Sequence, residues 1–256
     1  GGAGLSAAVS AKEAGCKKVV VLEKMMFAGG NTIRAGGGFN AAIKADYEKA
    51  GIKDSPDLHA QQTLAAGDGR GDPVLVHQLT EKAPESVQWL KDHGVKFEDH
   101  IYQIYAGLYK RARNPIGPRG GAYIKALLEV CKKEDIPILY NTRVVEIIRE
   151  HQLSGRVLGV KVEQKGGKTL YLRALNGVVA AAGGFAANDR LTAIHDPRMG
   201  QLDTTNHPGA TGDVLIDLVD IGPAPAVWIT SSASQAEFRE KNMLLTSSRM
   251  LTASCL

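Results

Sequence analysis

Glycine dominates the stretches of this chain that could do chemistry. Gly1-Gly2-Ala3-Gly4 runs directly into Leu5-Ser6-Ala7-Ala8, a turn entering a helix of small residues. Such a turn brings backbone close to a pyrophosphate, and the helix that follows offers unpaired N–H donors and the positive end of its dipole. Val19-Val20-Val21-Leu22 reads as a strand closed by Glu23. A carboxylate about 20 residues beyond the glycines is placed to accept hydrogen bonds from ribose hydroxyls. Glycine turn, helix, strand and terminal acid agree in order, which outweighs a purely structural turn. A second cluster follows, Gly29-Gly30-Asn31-Thr32 and then Ala35-Gly36-Gly37-Gly38. So many glycines predict a loop that approaches a ligand closely rather than regular structure. A second glycine loop so soon after the strand can enclose a longer cofactor, which favours FAD over a nicotinamide nucleotide.

Other candidate chemistries are weaker. Cys16, Cys131 and Cys255 form no CxxC pair, zinc spacing or haem-attachment site. His59, His77, His93, His100, His151 and His195 show no metal-ligand spacing and read as surface or packing residues. Ser6 has no nucleophile-elbow context and no partner base. The basic run Tyr109-Lys110-Arg111-Ala112-Arg113 reads as a solvated or substrate-facing loop. It lacks the repeated aromatic platforms on which nucleic-acid bases stack, and a net charge of +4 is modest. No apolar run is long enough to span a membrane.

The elements that must hold these residues can be read in order. Small residues predict a helix over 5–14, with Gly15 just past its end. Ser55-Pro56, Asp72-Pro73 and Pro84-Glu85-Ser86 each mark a helix start, and 97–121 looks irregular. A helix is expected over 122–133, with Ile124, Leu127, Leu128 and Cys131 on one face. Strands at 136–140, 142–149, 157–164 and 169–173 follow, the last three forming an antiparallel meander with a turn at Gly166-Gly167. Residues 177–185 read as a buried strand entering a glycine turn, 188–194 and 214–221 as helices.

Taken together these segments resemble the flavoprotein of the fumarate reductase and succinate dehydrogenase family, nearest its soluble flavocytochrome c fumarate reductases and urocanate reductase-like enoate reductases. The resemblance rests on the opening glycines, Glu23-Lys24, both glycine loops, Asp54-Ser55-Pro56, Ser86-Val87-Gln88-Trp89, Ala181-Ala182-Gly183-Gly184-Phe185 and Thr205-Asn206-His207-Pro208-Gly209-Ala210-Thr211-Gly212-Asp213. It implies FAD held by Gly1, Gly2, Ala3, Gly4, Glu23, Lys24, Gly29, Gly30, Asn31, Thr32, Ala35, Gly36, Gly37 and Gly38. Val145, Ala182, Gly183 and Gly184 would lie at the adenosine half, and Thr211, Gly212 and Asp213 near the flavin. Asn31 stands where covalent members carry a flavin-linking histidine, so the FAD is expected to be non-covalent. His207, with Thr205, would bind the substrate carboxylate. The family has threonine at Ala182 and glycine at Val214.

The expected fold is α/β, an FAD-binding Rossmann-like parallel sheet with helices and the small meander, incomplete at both ends. Residues 1–221 form the FAD-binding domain without its first strand, and 222–256 an unassigned tail, with the capping domain absent. The resemblance implies hydride transfer from flavin N5 to the C=C bond of a carboxylate such as fumarate. The family's arginine proton donor has no counterpart before the chain's last residue, so no catalytic residue is assigned. Expected partners are a small dicarboxylate or enoate and an electron-donor cytochrome, with haem only on a separate domain or chain, and no nucleic acid or direct membrane span. The expected compartment is the bacterial periplasm, with the cytoplasm as the alternative. A non-catalytic electron-transfer subunit, the reverse oxidation and a nicotinamide dehydrogenase are the competing functions.

Overall fold

A computed structural model of the protein describes residues 1–104, 107 and 109–221; the tail at 222–256 lies outside the described residues. In chain order the elements are α1 (Gly2–Glu13), β1 (Val21–Leu22), α2 (Gly30–Arg34), β2 (Phe39–Asn40), α3 (Lys44–Lys49), α4 (Pro56–Ala66), α5 (Pro73–Asp92), β3 (Tyr102–Gln103), β4 (Lys110–Arg113), α6 (Gly120–Lys133), β5 (Ile138–Leu139), β6 (Thr142–His151), β7 (Ser154–Gln164), β8 (Thr169–Arg173), α7 (Asp189–His195) and α8 (Asp213–Asp220). The fold is a mixed α/β arrangement, as expected.

The parallel pair β1–β5 sets Val21 opposite Ile138 and Leu22 opposite Leu139. Helices α1 and α6 bury Leu5, Val9, Leu127 and Cys131 in one cluster with Ile136, and Val19 and Val21 pack against it. Removal of these apolar side chains from water holds the glycine-led start of α1 beside the end of β1. The meander β6–β7–β8 is antiparallel throughout. Its turn uses Gly166 and Gly167 at φ +99° and +85°, angles that L side chains resist. Ile147, Val160 and Val162 form its inner face, covered by Val214, Leu218 and Ile221 at α8.

Capping follows the sequence where side chains are suited to it. Ser55 Oγ accepts from the Leu58 N–H at 3.0 Å, Asp72 Oδ1 from Val74 N–H at 2.9 Å, and Asn188 Oδ1 from Leu191 N–H at 3.0 Å. Several expectations fail for tertiary reasons. Pro84 starts no helix; it lies inside α5, whose buried stripe Val76, Thr80, Ala83, Val87 and Leu90 continues on both sides of it. That continuous burial outweighs the lost hydrogen bond. The stretch over 27–42 contains α2 and β2, and 97–121 contains β3 and β4, which with β2 make a sheet in the order β2–β4–β3. Residues 177–185 form no strand, and Val178 and Val179 are 39% and 42% exposed. No strand among the described residues runs beside them to share their backbone hydrogen bonds.

The basic run is also corrected. Arg111 and Arg113 lie buried on β4. Arg111 donates from Nε to Asp54 Oδ2 at 3.0 Å and from Nη2 to Asp54 Oδ1 at 2.8 Å. Arg113 donates to Asp46 Oδ2 at 2.5 Å and to the Ala41 carbonyl at 3.2 Å. His59 lies beside the first pair. Burial, then the Arg111 charge, push its pKa down to about 4 against the opposing pull of Asp54, so it stays neutral. Replacing Asp54 by Asn leaves a buried guanidinium without its counter-charge. Urea unfolding should show Asp54→Asn destabilised by about 3–5 kcal/mol. Lys44→Ala, which removes the exposed Lys44–Glu48 pair, should lose less than about 1 kcal/mol. Equal losses would disprove the structural role of the buried pair.

Candidate functional site

The site is built where α1, α2 and α6 begin and where residues 205–207 are hydrogen-bonded to α2. N-terminal glycines allow the close approaches. A Cβ on Gly1 would sit 3.4 Å from the Gly29 carbonyl oxygen, one on Gly2 2.9 Å from Thr32 Oγ1, and one on Gly4 3.3 Å from the Ala181 Cβ. Gly2 N–H donates to Thr32 Oγ1 at 3.0 Å. The first turn of α1, which contains Ala3, thus touches both the second glycine cluster and the stretch leading to Ala182-Gly183-Gly184. Among the described residues α1 has no side-chain cap and no acid in its first turn. Glu23 follows β1; its Oε2 is 3.7 Å from the Gly1 nitrogen and its Oε1 accepts from Met25 N–H at 3.0 Å.

Open space remains along this wall. A Cβ added to Gly36 or Gly183 would meet nothing within 4 Å, and Gly183 has φ +78°. Backbone free on one side, an uncapped helix start and a carboxylate at the strand end fit a dinucleotide with an anionic middle. Other glycines answer to protein neighbours instead. A Cβ on Gly37 would come within 2.8 Å of the Arg119 carbonyl carbon, and one on Gly38 within 2.6 Å of the Tyr102 hydroxyl. The Gly37 carbonyl accepts from Tyr123 Oη at 2.7 Å. Ala35 ends α2, and Val145 lies at a register irregularity between Val144 and Glu146 in the β6–β7 ladder.

Helix α2 carries the second half of the site. Asn31 Oδ1 accepts from the His207 backbone N–H at 2.6 Å, while Asn31 Nδ2 donates to Asn206 Oδ1 at 2.6 Å. Arg34 Nη1 donates to the Thr205 carbonyl at 3.2 Å. His207 is buried, and its Nδ1 accepts from Gly209 N–H at 3.0 Å. That bond assigns the ring proton to Nε2 in the neutral form. Burial and then Arg34 lower its pKa, with Lys24 contributing and Glu23 opposing. Phe27 presents its ring edge-on at 5.8 Å. Thr205 itself is exposed.

A separate network joins Lys24, Thr211 and Asp213. Lys24 Nζ donates to Thr211 Oγ1 at 2.5 Å and to Asp213 Oδ2 at 3.0 Å, and Thr211 Oγ1 donates to Asp213 Oδ1 at 2.7 Å. Arg143 Nε reaches the same carboxylate at 3.1 Å. Burial draws the Asp213 pKa upward, but the bonds from Thr211 and Lys24 and the charges of Lys24 and Arg143 outweigh it, and the carboxyl sits below its usual range. Gly212 has φ +75°, and a Cβ there would lie 2.7 Å from the Phe185 Cβ.

Four contributors escape a reading by spacing. Arg34 and Arg143 are single basic residues far in sequence from their partners. Asn188 caps α7 and also donates from Nδ2 to the Thr211 carbonyl at 2.9 Å; its helix-start position was legible, its second bond was not. Gly120 begins α6 where a Cβ would lie 1.8 Å from the Thr32 carbonyl oxygen.

This architecture has close counterparts. The family described as "FAD binding domain" matches residues 1–216. This chain belongs to that family. The cofactor of the domain is FAD. The chain is 35% identical over 224 residues to NADH:fumarate oxidoreductase of Klebsiella pneumoniae (strain 342), covering 87% of this chain and 24% of that protein. It is 36% identical over 217 residues to fumarate reductase (cytochrome) of Shewanella frigidimarina, covering 84% of this chain and 37% of that protein. The open conformation of a flavocytochrome c3 fumarate reductase superposes with a TM-score of 0.81 at 29% identity, over 88% of this chain and 39% of that one. The chain therefore spans well under half the length of these relatives. Among the described residues no helix is long and apolar enough to cross a membrane.

The FAD domain depends on Gly120 staying small. Gly120→Ala should lose at least about 1–3 kcal/mol of stability, as overpacked sites do, and should retain less FAD after gel filtration. Gly177→Ala, where a Cβ meets nothing within 4 Å, should behave as wild type. A Gly120→Ala protein with full stability and flavin content would show that the α2–α6 contact is dispensable.

Proposed function

We propose that this chain supplies the FAD site and one substrate contact of an enoate reductase acting on a small unsaturated carboxylate of the fumarate type. The observation that carries the reading is the clasp between α2 and the His207 segment. It ties a buried histidine, proton on Nε2, to the wall where the glycines leave backbone open. Fumarate reductases among the relatives make this reaction class the natural one.

Bound FAD, once reduced, supplies hydride equivalents. The chain's own residues then have definable tasks. Gly1, Gly2, Ala3 and Gly4 with the start of α1 receive the pyrophosphate, and Glu23 the ribose hydroxyls. Lys24, Gly29, Gly30, Asn31, Thr32, Ala35, Gly36, Gly37 and Gly38 line the remainder, with Val145, Ala182, Gly183 and Gly184 at the adenosine end. Thr211, Gly212 and Asp213 form the corner near the flavin. Thr32 and Lys24 contribute through Gly2, Thr211 and Asp213 rather than as isolated ligands. His207 donates from Nε2 to a substrate carboxylate oxygen, and the Thr205 segment lies beside it. As the C=C bond gains electron density, negative charge spreads onto that carboxylate, and a fixed donor stabilises it. No proton donor is assigned among the described residues.

Asn31 takes part in hydrogen bonds to the His207 segment, which supports FAD held without a covalent link. An electron-donating cytochrome or haem domain and a periplasmic location complete the proposal. Acid precipitation of the flavin-loaded chain should release all of its FAD into the supernatant; flavin retained in the pellet would refute non-covalent binding. In the full-length enzyme, with reduced viologen as donor, His207→Ala should lower kcat/KM for fumarate about tenfold to a hundredfold. That is the expected loss for one hydrogen bond to a charged group, about 1.5–3 kcal/mol. FAD content should not change. Wild-type turnover would remove His207 from the substrate site, and no turnover of any enoate by the flavin-loaded wild type would favour an electron-transfer role.

A further inference from the structure

One side-chain cluster lies outside the flavin and substrate residues. Asp57, in the first turn of α4, comes together with His77 and Glu81 of α5, and their ligand atoms all lie within 4.8 Å of one another. His77 and Glu81 are four residues apart and so share one face of α5. Asp57 joins them across the packed α4–α5 hairpin, which is why spacing along the sequence does not reveal the group.

We propose that Asp57, His77 and Glu81 bind a divalent first-row transition ion such as Zn2+. Among the described residues no hydrogen bond or ion pair engages any of these three side chains. The nearest cation in sequence, Lys82, forms its ion pair with Glu85 at 2.7 Å and has Glu81 as a weaker charged neighbour. Two carboxylates are thus gathered beside one imidazole. An imidazole with two carboxylates suits zinc and its neighbours, whereas magnesium and calcium prefer oxygen donors alone. Three protein ligands leave room for water, as in open zinc sites.

The helices present the ligands from fixed starts. Ser55 caps α4 and Asp72 caps α5, and each helix has a proline in its first turn. Asp57 and Glu81 are exposed and can rotate to close the present spread around an ion. A bound ion would link the first turn of α4 to the middle of α5, so binding should stabilise the hairpin and therefore the fold.

The test is titration of the metal-free, flavin-loaded chain with ZnCl2, followed by calorimetry and thermal unfolding. One ion should bind with micromolar affinity and raise the unfolding temperature. His77→Ala and Glu81→Gln should each bind at least about tenfold more weakly and lose the thermal shift, with unchanged circular dichroism and flavin spectra. MgCl2 should produce no comparable shift. Equal zinc affinity in both variants would place binding elsewhere on the chain and overturn the proposal, as would absence of binding to wild type. A magnesium response matching that of zinc would overturn the assigned metal class.

Discussion

Thr32 stands between the starts of two helices, and the site depends on that placement. Its hydroxyl accepts from Gly2 at the head of α1, and its carbonyl occupies the space that a side chain on Gly120 would need at the head of α6. Helix α2 has only five residues, and none is buried. Hydrophobic packing therefore does not fix it, and a helix this short has little intrinsic stability. Backbone approaches made possible by glycine hold it from one side, and hydrogen bonds to residues 205–207 from the other. The glycine clusters and the segment 205–207 are consequently positioned by the same few residues.

Charge is distributed with a similar division of labour. The two deeply placed arginines of β4 are consumed by Asp54 and Asp46 and keep the sheet β2–β4–β3 against α3 and the loop before α4. At the start of α8, the positive groups Lys24 and Arg143 converge on Asp213. Asp213 stays ionised there because the groups around it repay its burial. An ionised Asp213 in turn holds Lys24 and Thr211 in place, tying the end of β1 to the start of α8.

Much of the framework was legible because short-range chemistry determined it. Ser55, Asp72 and Asn188 act as caps wherever they precede a helix, and Gly166-Gly167 turns the meander. Elements set by distant neighbours were not legible. β2, β3 and β4 are two to four residues long, too short for periodicity to register, and they exist because they pair with one another. Pro84 looked like a boundary because local preference says so, but the buried stripe of α5 runs through it. Residues 178–179 looked like a buried strand because they are apolar, yet burial requires a neighbour. In the site, the clustered glycines could be found from sequence, while Arg34, Arg143 and the contact made at Gly120 could not. Their roles arise only when residues some 70 to 170 positions apart meet.

The state of His207 shows what that convergence does chemically. A histidine in an exposed loop would exchange protons freely near neutral pH. Here burial disfavours the charged ring, Arg34 and Lys24 add to that effect, and Glu23 only partly offsets it. The Gly209 N–H then selects the tautomer by occupying Nδ1. The ring is thus a neutral donor with one direction left to give its proton. Such a group can bind a carboxylate without bringing a full positive charge that would have to be neutralised when the substrate is absent. The same hydrogen bond from the His207 backbone to Asn31 prevents the segment from moving independently of the glycine wall. Donor strength, tautomer and position therefore follow from one local arrangement, with α2 as its common support.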